Sequence, residues 1–178
     1  MLQDWLLLGT LAAALLATCW TDLTRQRIPN SISIPLLALG LASHGALFGF
    51  AGLGFSIAGS AVGFAAFFPM YLLGAMGGGD VKLMTSVGSF LGFALTLWAL
   101  AFTLLCGGVL AVVYVVAAII RRRLAGQNAA GPILLELAVT AETRGGVMQE
   151  RFPYAVAIAS GTAIAIMYAG GSQLPFRH

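Results

Sequence analysis

The sequence predicts an all-α fold, a polytopic membrane bundle of about six transmembrane helices. Two observations carry that prediction. Hydrophobic residues fill 60% of the 178 positions and charged residues only 8%, against roughly 25% charged in an average soluble domain. The apolar residues also come in unbroken runs, residues 109–120 for example, and not in the alternating pattern of a transmembrane β-barrel. Backbone inside a bilayer must satisfy its own hydrogen bonds, so runs of this kind are helices.

About 20 apolar residues cross a bilayer, which places helices near residues 5–21, 32–48, 53–73, 81–96, 97–120 and 153–170. The first run opens Met1-Leu2-Gln3-Asp4 with no Lys or Arg, so it reads as a retained helix and not as a signal peptide. Pro29 and Pro35 set the entry of the second helix, with Asn30 or Ser31 as its cap. Residues 44–52 read as a loop, and His44 as a polar loop residue without a role. The fourth and fifth helices form one apolar run long enough for two spans, and Gly88 to Gly92 offer the turn between them. A single membrane-embedded domain is expected over residues 1–178, with a loop at about 121–152. Within that loop residues 132–139 suit a short helix lying on the membrane surface.

Short loops rich in Lys and Arg stay in the cytoplasm. Arg25 and Arg27 follow the first helix, Lys82 opens the fourth, and Arg121, Arg122, Arg123, Arg144 and Arg151 lie between the fifth and sixth. All of these share one side if both termini face outward, with Arg177 the exception. Asp22 and Asp80 then both fall at the cytoplasmic face, by an argument that used only Lys and Arg. The formal charge of +3 sits in these loops, where topology explains it, and no nucleic acid is expected as a partner. Cys19 and Cys106 belong to no CxxC pair and have no His at ligand spacing, so neither a metal nor a cofactor is expected.

Asp22 and Asp80 carry the chemistry. A carboxylate in a membrane helix costs roughly 2.5 to 3.5 kcal/mol at the bilayer centre and less toward the interface. Asp80 directly follows Gly77, Gly78 and Gly79, where it is also a candidate N-cap. With the first helix ending near Thr21, Asp22 stands at the negative end of a helix dipole, and its structural role is that of a solvated turn residue beside Arg25 or Arg27. Two carboxylates held close together share one proton. One then activates water as a base while the other polarises a carbonyl as an acid, the two roles that peptide hydrolysis needs. The three glycines remove every Cβ from the approach to Asp80, so that an extended substrate backbone can pass. On this argument a methyl group at Gly79 obstructs substrate most, and one at Gly77, farther from Asp80 in sequence, obstructs it less. Lys82 either contacts substrate or is an interfacial lysine.

Gly77-Gly78-Gly79-Asp80 fits a G-x-G-D signature, and Asp22 followed by Ile28-Pro29-Asn30 fits D-x(5)-I-P-N. In this order the chain resembles the type 4 prepilin peptidases, membrane aspartyl proteases of the GxGD class, and among them the short form associated with Flp/Tad pili. The resemblance runs over nearly the whole chain. Phe152-Pro153-Tyr154 is similar to a Pro-aromatic element near the end of that family. The resemblance implies Asp22 and Asp80 as the catalytic pair, with Gly77, Gly78, Gly79, Lys82, Pro153 and Tyr154 at the substrate. It also implies a pilin precursor as substrate, leader removal at the cytoplasmic face of the bacterial inner membrane, and the pilus assembly machinery as a further partner beside the lipid bilayer. Larger members carry a cytoplasmic domain, often with paired CxxC motifs, linked to N-methylation of the mature pilin. This sequence has no such motifs and only 21 residues ahead of Asp22, so peptidase activity is expected without methyltransferase activity. The rival reading is a small proton-coupled transporter using the same two acids; transporters place such groups near the bilayer midplane, whereas here both lie at one edge.

Overall fold

A computed structural model of the chain describes residues 2–25, 29–74, 76–124 and 154–169. Among these residues there are four helices and no strand: α1 (Leu2–Arg25), α2 (Asn30–Leu72), α3 (Gly78–Leu124) and α4 (Tyr154–Tyr168). Three stretches are long and apolar enough to cross a membrane, Leu6–Thr24, Asn30–Leu72 and Gly78–Ala117. The described residues are all helical apart from the short links between helices, and the chain is a membrane protein.

α2 and α3 each contain one non-helical residue, Gly49 (φ 62°) and Gly92 (φ 67°). Four helices with two breaks give six helical segments: 2–25, 30–48, 50–72, 78–91, 93–124 and 154–168. The break expected between Gly88 and Gly92 is therefore a kink at the single non-helical residue Gly92. That position needs glycine twice over, since its φ is left-handed and the Phe55 ring packs onto the face where a Cβ would stand. The expected loop over residues 44–52 is corrected by the structure, because every residue there except Gly49 is helical. Its glycines serve packing as well as turning: a Cβ at Gly52 would run into the carbonyl of His44, eight residues back across the bend.

The chain forms two compact units, residues 1–108 with 153–178, and residues 109–152. In the second, the described residues are the continuation of α3 from Val109 to Leu124. The surface helix expected over residues 132–139 lies outside the described residues.

In the first unit, α1 buries Leu11, Leu15, Thr18 and Asp22, a stripe at helical spacing that faces α4 and α2. Its threonines return their hydroxyls to carbonyls three or four residues back, Thr18 Oγ1 to the Leu15 carbonyl at 2.8 Å for instance, which satisfies them without water. α2 and α3 meet through glycine. Gly59 lies against the backbone of Gly88 and Gly92, and Gly63 against the Met84 carbonyl, the close backbone approach that small residues give in lipid. Hydroxyls bridge the same seam: Ser86 Oγ donates to the Ser33 carbonyl at 2.8 Å and Ser56 Oγ to the Ser89 carbonyl at 2.8 Å. This seam fixes the register of α3 against α2, and with it the position of the α3 N-terminus.

Candidate active site

Asp80 stands in the first turn of α3. α2 ends with Gly74 in a left-handed conformation (φ 73°), its N–H on the Tyr71 carbonyl at 3.0 Å, and only a short link remains before Gly78 opens the next helix. The Asp80 N–H donates to the Gly77 carbonyl at 3.1 Å, and the Gly77 N–H donates back to Asp80 Oδ2 at 3.1 Å. This reciprocal pair has the geometry of a capping box with the acid at its third helical position. Asp80 is thus not the N-cap residue that the sequence offered; it closes the cap from inside the helix and is itself 9% exposed.

Asp22 departs further from expectation. α1 does not end near Thr21 but runs on to Arg25, which keeps Asp22 in register with the buried face, at 6% exposure. It is not a solvated turn residue. Its Oδ2 accepts the N–H of Ala155 at 3.2 Å, in the first turn of α4. The unfavourable dipole of its own helix is offset by the favourable N-terminal end of another.

The first turn of α4 holds Asp22 through the Ala155 amide, and the neighbouring Tyr154 is half-buried. Cys19 Sγ, one turn before Asp22 on α1, points at the Ala155 carbonyl at 3.5 Å. Two acids 58 positions apart in sequence (80 minus 22) are thus each held by the amide of a helix N-terminal turn, Asp22 by Ala155 and Asp80 by Gly77.

The other residues singled out from the sequence divide as follows. Lys82 is exposed and donates to Asn30 Oδ1 at 3.0 Å, tying the second residue after the acid motif on α3 to the last residue of the Ile-Pro-Asn motif on α2. Asn30 is thereby corrected from its expected role: α2 has no side-chain cap, and the Pro29 carbonyl accepts the N–H of Ile32 at 3.1 Å. Ile28 and Pro153 lie outside the described residues. Cys19 and Cys106 are free and half-buried, and among the described residues no group of His, Cys, Asp or Glu has the make-up of a metal site. His44 was misread as a loop residue. It is 1% exposed, with Nδ1 3.0 Å from the Gly40 carbonyl and its ring 5.3 Å from that of Phe55. Helical spacing from Ser33, Leu36 and Gly40 was the available signal for its burial.

Gly77 is also closer to the chemistry than its distance in sequence suggested. A Cβ there would stand 3.2 Å from Asp80 Oδ2, whereas one at Gly78 would meet Tyr71 Cε2 at an ordinary 3.4 Å. The Gly77→Ala variant is expected to lose about one to two orders of magnitude in turnover, as displaced catalytic groups do. Its stability should be unchanged or slightly raised, because its φ is not left-handed. Gly78→Ala should be mild. Cleavage rates and melting temperatures of the two variants check this, and equal activity would reduce the glycines to a linker.

What the fold and these contacts define is a helical membrane protein with two buried acids held at helix ends. The family model of the type IV leader peptidase family matches residues 9–114, a stretch that contains both acids. The chain belongs to that family. It is also 36% identical over 97 residues to the prepilin leader peptidase/N-methyltransferase of Aeromonas hydrophila, a match covering 48% of this chain and 33% of that protein. The chain thus matches about a third of the length of this curated relative. No solved structure matches it.

Proposed function

We propose that the chain is an aspartyl endopeptidase of the bacterial inner membrane that removes the leader from type IV prepilin-like precursors, with Asp22 and Asp80 as its catalytic pair. The observation that carries this reading is the burial of both acids, each on the amide of a helix N-terminal turn, Asp22 on Ala155 and Asp80 on Gly77. Family membership and the Aeromonas relative's name supply the substrate class. In the reaction one carboxylate takes a proton from water as its oxygen attacks the scissile carbonyl carbon, and the other, protonated, gives its proton to the carbonyl oxygen. Collapse of the tetrahedral species breaks the C–N bond, and the proton held by the base passes to the leaving amine. No metal or other cofactor enters this scheme.

The chain acts as one peptidase domain with a loop at about 121–152, of the short form associated with Flp/Tad pili, and the assembly machinery is its further partner. Leader removal without N-methylation is its activity, since neither Cys19 nor Cys106 belongs to a CxxC motif of the kind linked to methylation. Purified protein incubated in detergent with a candidate prepilin, with and without S-adenosylmethionine, tests both parts by mass spectrometry. The expected product lacks the leader and carries no methyl group on its new N-terminus; an intact prepilin refutes the peptidase, and a methylated product refutes the restriction.

Six helical segments crossing the membrane with both termini periplasmic place the Asp22 and Asp80 ends and the 121–152 connection in the cytoplasm. Single cysteines introduced beside each loop should label accordingly with a membrane-impermeant reagent. Asp22 and Asp80 ends on opposite faces would end the protease reading.

A further inference from the structure

We infer that the first turn of α4 is a third part of the catalytic apparatus, in which the Ala155 amide acts as a positioning group that fixes which oxygen of Asp22 carries the shared proton. This rests on the peptidase reading of the site.

The two acids are held in the same way by unrelated parts of the chain. Asp80 Oδ2 accepts the N–H of Gly77 at 3.1 Å, and Asp22 Oδ2 accepts the N–H of Ala155 at 3.2 Å. Both donors belong to helix N-terminal turns, of α3 and α4, whose early amides have no carbonyl partner within their own helix. A carboxyl group that receives an N–H does so on its unprotonated oxygen, because the O–H oxygen is the poorer acceptor. While these bonds stand, both Oδ2 atoms are acceptors only, and the shared proton belongs on an Oδ1. The backbone therefore selects which oxygens carry proton and water.

α4 can serve this purpose because its start is anchored from two sides. Ala155 is fully buried, its N–H on Asp22 and its carbonyl facing Cys19 Sγ at 3.5 Å, both partners lying on α1. One turn further on, α4 packs against α3 with no room for a side chain, since a Cβ at Gly161 would run into the backbone of Thr103. The Ala155 amide is thus held against Asp22 by a helix that cannot slide.

The amide can be observed directly. Labelling tyrosine carbonyls with 13C and alanine amides with 15N selects only the Tyr–Ala pairs of the chain, Tyr154-Ala155 and Tyr168-Ala169. The second is an internal reference, because the Ala169 N–H donates to the Ala165 carbonyl at 2.9 Å, within its own helix turn. In full-length protein in detergent, Asp22→Asn should move the Ala155 amide proton upfield, as its acceptor loses charge, and leave Ala169 in place. An unmoved Ala155 signal, or equal movement of both, overturns the assignment. The second measurement is the kinetics of Ala155→Pro on a prepilin, which removes this N–H in a first helical turn where proline is tolerated: kcat should fall about tenfold, the scale of one ordinary hydrogen bond, with KM within about twofold of the wild type. An unchanged kcat would overturn the positioning role. Failure of the wild-type protein to cleave any prepilin would remove the peptidase reading and the catalytic role of the turn with it, while the amide signal would still report whether Ala155 holds Asp22.

Discussion

Replacing Asp22 or Asp80 by Asn is expected to lower prepilin cleavage by about four orders of magnitude, and the double replacement to lower it little further, because members of one proton-sharing unit do not lose activity additively. The fold should survive either change. Asn keeps an oxygen that accepts the Ala155 N–H in place of Asp22 Oδ2, and one that accepts the Gly77 N–H in place of Asp80 Oδ2, so neither helix start loses its cap. Alanine at the same positions removes those acceptors and is expected to cost about 1 kcal/mol more in stability, the usual worth of a cap. Initial rates with a purified prepilin, set beside melting temperatures in the same detergent, separate the two effects. Near-normal turnover in either Asn variant would dissolve the catalytic pair.

The second large effect is structural and lies in the seam between α2 and α3. A Cβ at Gly59 would run into the Gly88 carbonyl and come within 2.7 Å of Gly92 Cα; one at Gly88 would come within 2.6 Å of the Gly59 carbonyl carbon. These are backbone atoms and cannot rotate away, so the helices must separate. Gly59→Ala and Gly88→Ala are each expected to destabilise by about 1 to 3 kcal/mol, the range of overpacked cores. Their combination should cost less than the sum, since both relieve the same contact. Gly54→Ala is the control, because nothing lies within 4 Å of a Cβ there. Activity should fall with stability in the seam variants, as the register of α3 that places Asp80 depends on the contact. Thermal unfolding of the four variants tests this, and an unaffected Gly59→Ala would show that the seam yields easily.

The helices were legible because lipid demands long apolar runs, and the break near Gly92 because a run of twice the needed length must turn. The bend at Gly49 was read too broadly for a physical reason. His44, Gly45, Gly49 and Gly52 carry the composition of a loop, yet His44 and Gly52 are buried packing residues of the helical segments on either side of Gly49. In a membrane, glycine marks close helix contact as well as turns, and composition alone does not separate the two. Of the candidate site, Asp80 and its glycines could be placed because their partners are local, within three residues. The surroundings of Asp22 could not, since its amide partner lies 133 residues away and no periodicity reports a bond between distant segments. The hydrogen bond of Lys82 to Asn30, across 52 residues, was hidden for the same reason.

That separation of 133 residues also has a temporal meaning. At about 5 to 20 residues per second of synthesis, Asp22 emerges from the ribosome roughly 7 to 27 seconds before Ala155. Through that interval α1, α2 and α3 can enter the membrane, but the amide that orients Asp22 does not yet exist. On the proposed peptidase reading, the site of a nascent chain is incomplete until α4 has been made, and translation sets the earliest moment at which it can cut.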